Sequence, residues 1–232
     1  MFNKNKINNI YIMRIAIVYR GHFKRGSRDN RANKKRKTNC FTGEILENNI
    51  KNLSTSGNQI DYYYHTYCHP VTLLSSNEGL LKIFESKGIK IKKYSLGHGN
   101  GMVYKPIAYS VLESLKLIEE EYDLIICLRF DLMFKKKIEF VRDKVNFAFK
   151  DLESQWEKDR KVSDLFFSFP SKYLNIIKES LSKNMERGDS GVHYIYNDIE
   201  KEVGKENINF ITDGYHTSCT EYAENPLVKI LR

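Results

Sequence analysis

The chain has 232 residues, 41% of them hydrophobic and 29% charged, with 15 Tyr and 13 Phe; it can bury one sizeable core, which excludes overall disorder. Four prolines and 13 glycines exclude collagen-like and low-complexity classes, and no apolar run approaches the ~20 residues of a membrane-spanning helix. The net charge of +9 is concentrated, because eight basic residues and one acid, Asp29, lie between Lys24 and Lys37, leaving 30 basic against 28 acidic residues elsewhere.

Residues 1–12 are rich in Asn and Lys and lack the apolar stretch and cleavage site of a signal peptide; they read as a disordered or non-native extension, with Met13 as an alternative start. Met13 to Tyr19 is short, apolar and β-branched, as a buried parallel strand should be. The basic loop follows. Its local charge argues against nucleic acid, which calls for a basic stripe over a whole domain, and suits a phosphate-rich small molecule or a solvated loop. Ile45, Leu46, Asn49, Ile50 and Leu53 keep helical spacing, with Gly57 as the stop. Ile60 to Thr66 reads as a second strand, Leu80, Leu81 and Phe84 as a short helix closed at Gly88, and Ile89 to Tyr94 as a less buried third strand.

A glycine-rich loop, 97–101, leads to Pro106, which opens a long amphipathic helix carrying Ile107, Val111, Ser114, Leu115 and Ile118. Tyr122 to Asp131 is the clearest strand of the chain. This alternation predicts an α/β fold with a mostly parallel, doubly wound sheet flanked by helices. The second half is mixed: strands are expected at Val145–Phe149, Asp164–Phe169 and Asn207–Ile211. Helical faces run through Tyr173, Leu174, Ile177 and Leu181, and through Val192, Ile195, Ile199 and Val203, before an irregular tail. Cys40, Cys68, Cys127 and Cys219 form no Cys-x-x-Cys pair and read as reduced thiols.

In an open parallel sheet, ligands bind beyond the carboxyl ends of the strands. The residues there are Arg20 and Gly21, then His65 and Thr66, then Arg129 and Asp131. Asp131 ends an almost wholly apolar strand; a carboxylate so placed can hold a divalent cation that screens a bound diphosphate. Arg129, two residues earlier, points to the same side of an extended chain and can contact phosphate, the alternative being a structural ion pair between the two. Gly21 to Ser27 approaches a phosphate-binding P-loop but lacks the Lys after the second Gly, so a P-loop-like sulfo- or phosphotransferase is a lesser alternative. The Gly-x-Gly-x-x-Gly fingerprint is missing. His65, Cys68 and His69 suggest zinc but lack a fourth ligand.

Arg-Ile-Ala-Ile-Val-Tyr-Arg-Gly (14–21), Ile60 through Thr66, and Tyr122-Asp123 through Arg129-Phe130-Asp131-Leu132 together resemble small GT-A-like glycosyltransferases of bacterial polysaccharide clusters and large DNA viruses. The resemblance spans roughly residues 13 to 170 and implies a GT-A-like (Rossmann-like) domain over 13–232, with 13–131 as its nucleotide-binding half and 132–232 as its acceptor half. It implies transfer of a sugar from a nucleotide-sugar donor to a glycan or other hydroxyl acceptor, in the cytoplasm of a bacterium or of a virus-infected host cell. By position, Arg20, Gly21, Arg25, His65 and Thr66 would line the nucleotide site, and Asp131 would stand for the last Asp of Asp-x-Asp, holding Mn²⁺ or Mg²⁺. Arg129 replaces the first Asp, a departure that bears on metal dependence. Asp164, in Ser163-Asp164-Leu165-Phe166-Phe167-Ser168, would serve the acceptor hydroxyl or donor sugar. His193 or His216 would supply a C-terminal metal or diphosphate contact. The rival from another class is a nucleic-acid-binding protein using the 24–37 loop.

Overall fold

The computed structural model describes residues 12–22, 24–25, 38–39, 41–53, 57–68, 73–98, 107–188, 191–217 and 225–231. The strands and helices of the first half are β1 (Arg14–His22), a short ladder of β2 (Lys24–Arg25) with β3 (Thr38–Asn39), α1 (Gly43–Asn52), β4 (Gln59–Cys68), α2 (Leu73–Glu85), β5 (Ile91–His98), α3 (Ile107–Leu115) and β6 (Leu124–Arg129). The second half adds β7 (Leu132–Phe134), β8 (Val145–Phe147), α4 (Glu153–Asp159), β9 (Phe166–Phe169), α5 (Leu174–Glu186), α6 (Tyr196–Val203), β10 (Ile208–Phe210) and β11 (Val228–Ile230).

Seven strands form one sheet in the order β10-β8-β9-β6-β1-β4-β5. β1 is parallel to both β4 and β6, while β9 runs antiparallel to β6 and to β8. The fold is therefore α/β with a mostly parallel, Rossmann-like sheet and a mixed second half. The central strands are buried on both faces, which is why they read as continuous apolar runs. Ile15, Ile17 and Tyr19 of β1 pack with Leu46 of α1 and with Leu80 and Phe84 of α2. The alternating Ala16 and Val18 pack on the opposite face with Val111 and Leu115 of α3 and Ile177 and Leu181 of α5. No helix among the described residues is long and apolar enough to cross a membrane.

Two local devices fix the end of β6. The Phe130 ring stacks on Tyr19 at 5.5 Å and meets Phe41 edge-on at 5.2 Å; each such pair contributes about 0.5–1.5 kcal/mol beyond the area it buries. One residue on, the carbonyl of Asp131 accepts a hydrogen bond from the Leu231 amide at 2.8 Å, where β11 pairs antiparallel with β7. The turn that carries Asp131 is thus held by aromatic packing on one side and by a C-terminal strand on the other.

Several elements differ from the sequence reading. The helix expected to reach Ile118 ends at Leu115, since the acidic run Glu119–Glu121 beyond it opposes a helix C-terminus. The strand expected over 122–131 spans Leu124–Arg129, with Phe130 and Asp131 in the turn that follows. The strands expected over 145–149 and 164–169 are Val145–Phe147 and Phe166–Phe169, so Asp164 precedes its strand. α2 is longer than its three apolar residues suggested, and the irregular tail contains β11. α4 carries one buried residue, Trp156, and so shows no apolar period to read.

Candidate functional site

Because β1, β4 and β6 are parallel, their carboxyl ends share one edge of the sheet. There the register sets Arg20 level with His65 on one side and Arg129 on the other, and His65 level with Ser95 of β5. These four residues form a row across four strands on the α3 face. His65 Nδ1 lies 2.7 Å from Ser95 Oγ, and the ring meets Tyr67 edge-on at 4.9 Å and Tyr109 of α3 at 6.4 Å. Gly97 makes this packing feasible: a Cβ there would lie 2.5 Å from Tyr67 Cδ1 and 3.3 Å from His65 Nε2.

The antiparallel β9 starts at the same edge, so the residues preceding it arrive beside the end of β6. The Arg129 amide donates to the Leu165 carbonyl at 3.2 Å, and a buried Arg20 Nη2 donates to the carbonyl of Asp164. Arg129 grips Asp131 with a two-toothed fork, Nε to Oδ1 at 2.8 Å and Nη2 to Oδ2 at 2.5 Å, while its Nη1 stands 3.5 Å from Asp164 Oδ2. Two guanidiniums and two carboxylates, drawn from β1, β6 and the approach to β9, thus close into one ion cluster. Burial pushes the Arg20 guanidinium below its ordinary pKa, with Asp164 pulling it up and Arg129 adding to the lowering. Arginine nevertheless stays protonated at neutral pH. Beneath the cluster, burial raises the Cys127 thiol to about 12, an inert free cysteine.

Arg20, Arg129, Asp131 and Asp164 therefore meet, and His65 stands in register beside them. Gly21 follows Arg20 with φ +100°, a conformation that favours glycine, and is level with Thr66. Thr66 alternates with His65 and faces the α1–α2 side of the sheet. Arg25 lies in β2, at the base of the basic loop. The Arg25 side chain, residues 26–37 with the P-loop-like Gly26 and Ser27, and His69, Gly99 to Gly101 and Pro106 lie outside the described residues, as do Cys40 and Cys219.

His193 has different neighbours from those expected. Its Nδ1 is 2.7 Å from the Val162 carbonyl and 3.5 Å from Asp151 Oδ2. The ring folds back over Gly191, where a Cβ would come within 2.9 Å of it. His216 bonds locally to the Asp213 carbonyl at 3.1 Å. Asp151 is a buried acid the sequence reading passed over; its signal was a carboxylate just past the apolar run Val145–Phe149. Burial raises its pKa, and the nearby charge of Asp164 raises it further while His193 lowers it. Asp151 thus links His193 to the neighbourhood of Asp164 in the cluster.

A divalent cation is the group the Asp-x-Asp resemblance implies, and the described residues do not fit one. Both oxygens of Asp131 are taken by Arg129, and His193, expected as a metal ligand with Asp131, turns to Val162 and Asp151 instead. Among the described residues no group of three or more His, Cys, Asp or Glu is placed to hold a metal ion, whereas Mg²⁺ and Mn²⁺ seek several oxygen ligands.

No protein-family model matches the sequence, and no curated protein does. Among solved structures, the chain is similar to a CTP:phosphocholine cytidylyltransferase from Streptococcus pneumoniae, at 14% identity and a TM-score of 0.47, over 88% of this chain and 92% of that one.

Proposed function

We propose that this chain is a nucleotide-sugar-dependent glycosyltransferase, moving a sugar onto a glycan or other hydroxyl acceptor. Residues 13–131 take the nucleotide and 132–232 complete the acceptor side. The observation that carries this reading is the row of Arg20 and Arg129 at the carboxyl edge of the sheet, with Asp131 and Asp164 closing around them. That edge is where open α/β sheets bind ligands, and paired guanidiniums suit a diphosphate.

In the transfer, the acceptor oxygen bonds to the anomeric carbon as the bond from that carbon to the β-phosphate oxygen breaks. The electron pair of that bond leaves with the nucleoside diphosphate. Arg20 and Arg129 lower the barrier by meeting the negative charge that develops on the leaving group in a water-poor site. Asp164 takes the acceptor proton or orients the donor sugar, in keeping with its place at the rim of β9. His65 and Gly21 line the nucleotide side.

A thermal-shift screen tests this directly. UDP, GDP, CDP and dTDP, and their common sugars, would each be added with Mn²⁺ and with Mg²⁺. One nucleotide series is expected to raise the melting temperature, since ligand at 100 times its dissociation constant adds about 2.7 kcal/mol of stability. Silence across the whole panel, alongside salt-sensitive binding of a DNA or RNA oligonucleotide, would replace this reading with the nucleic-acid-binding one.

A further inference from the structure

We infer that the diphosphate at this site is met by the Arg129 guanidinium directly, with no divalent cation between, and that Asp131 is the residue that positions Arg129. The inference rests on the glycosyltransferase reading and goes beyond it by stating what neutralises the diphosphate.

The observation behind it is how the charged groups of the cluster are paired and how far each is exposed. The Arg129 side chain is 14% exposed, against 5% for Asp131 and 3% for Asp164. Of the three charged side chains, the arginine is the most open to an incoming anion. A dication would have to displace the guanidinium from both oxygens of Asp131 and settle in a cluster that also holds Arg20, a second cation that is 2% exposed. In a site of low dielectric such like-charge contacts are unfavourable.

The geometry of the fork assigns the other role. A guanidinium offers five N–H donors in a rigid plane. Asp131 accepts from Nε and Nη2, which fixes the rotation of the head group and leaves Nη1 directed toward Asp164. The carboxylate therefore orients the arginine that carries the charge, much as a partner behind a metal ligand orients that ligand. Arg20 backs this arrangement. It is buried, its Nη2 donates to the Asp164 carbonyl, and its Nε has no hydrogen-bond partner among the described residues. A buried donor left so is costly unless water or a ligand satisfies it.

Calorimetric titration of UDP, GDP, CDP and dTDP, each in EDTA and in Mn²⁺, tests the inference. The diphosphate that binds is expected to show dissociation constants within about twofold in the two buffers. Arg129→Ala is expected to weaken it by about 10- to 100-fold in both, the range set by losing hydrogen bonds to a charged group. Arg129→Lys keeps the charge without the fork and should fall between. Asp131→Asn should weaken binding less than Arg129→Ala, and equally in EDTA and Mn²⁺; a merely structural Asp131 would lower the urea midpoint and leave binding unchanged. Arg129→Asp, with two carboxylates on one side of the chain, should bind only when Mn²⁺ is added. Wild-type binding that is tenfold or more tighter in Mn²⁺, or an Arg129→Lys variant that binds as the wild type does, overturns the inference while leaving the glycosyltransferase reading in place. Failure of all four diphosphates in both buffers removes the glycosyltransferase reading itself.

Discussion

β1 carries an arginine near each end, and the two meet opposite fates. Arg14, at the amino end, is 39% exposed in its side chain and donates to Glu120 at 2.6 Å and to the Glu121 carbonyl at 3.2 Å, over the ring of Tyr122. Around it, Lys92 bonds Asp61 at 2.8 Å and Glu120 at 2.6 Å, and Tyr122 donates to Asp61 at 2.7 Å. Arg20, six residues on and on the same face, is buried, donates to the Asp164 carbonyl and stands beside the ion cluster. The exposed network has water as an alternative partner and contributes little to stability. The buried one has no such alternative, so breaking it leaves uncompensated charge. One end of the sheet is thus a solvated surface, and the other holds its charge out of water, at the edge where the proposed diphosphate would meet it.

The sharpest way to break that contrast is Arg20→Ala. It leaves Arg129 to balance Asp131 and Asp164 in a buried setting, and urea unfolding should show a loss of about 3–5 kcal/mol. A loss under 1 kcal/mol would mean that the cluster is more solvated than its burial implies. Next comes Gly21→Ala. At φ +100° an alanine is strained whatever the space around it, and the expected loss is about 1–3 kcal/mol, read from the same unfolding curves.

Asp151 sharpens the comparison through pH. Its folded pKa is raised, chiefly by burial and then by Asp164. Between the ordinary carboxylate range and that raised value the folded state holds more protons than the unfolded one, so stability falls as pH rises through the window. Asp151→Asn removes the titration. The variant should gain stability relative to wild type at neutral pH and lose that advantage below the ordinary carboxylate range. Parallel pH–stability curves for the two proteins would show that Asp151 is not desolvated by the fold.

Much of this end of the molecule is legible in the residues alone. An apolar run that stops at Arg129-Phe130-Asp131 marks both the strand and its chemical end, and alternation on β1 puts Arg20 where a ligand would sit. Asp164 announces itself by preceding the apolar Leu165–Phe169. What alternation does not carry is partner choice. Whether Asp131 faces a cation or the fork of Arg129 depends on the turn that Phe130 and β11 enforce, and β11 is three residues long and nearly a hundred residues away in the chain. Asp151 was missed for a related reason: besides the adjacent Leu152 amide, its partners are the Lys161 carbonyl and His193, which lie further along the chain.

The smallest effect should come from the opposite edge, and it is the control on which the comparison turns. Glu120 accepts from both Arg14 and Lys92, and these two hold its pKa below the usual carboxylate value. Its side chain is 45% exposed, so water takes over what Glu120→Gln gives up. The remaining groups keep their contacts, since Lys92 still bonds Asp61 and Tyr122 still donates to Asp61. Glu120→Gln should therefore barely move the urea midpoint, leave diphosphate binding unchanged, and show any effect only at low ionic strength, where exposed charges are least screened. A drop in stability as large as that of Arg20→Ala, persisting in high salt, would erase the distinction between the two ends of β1. Burial would then no longer separate a structural arginine from the one proposed to serve a ligand.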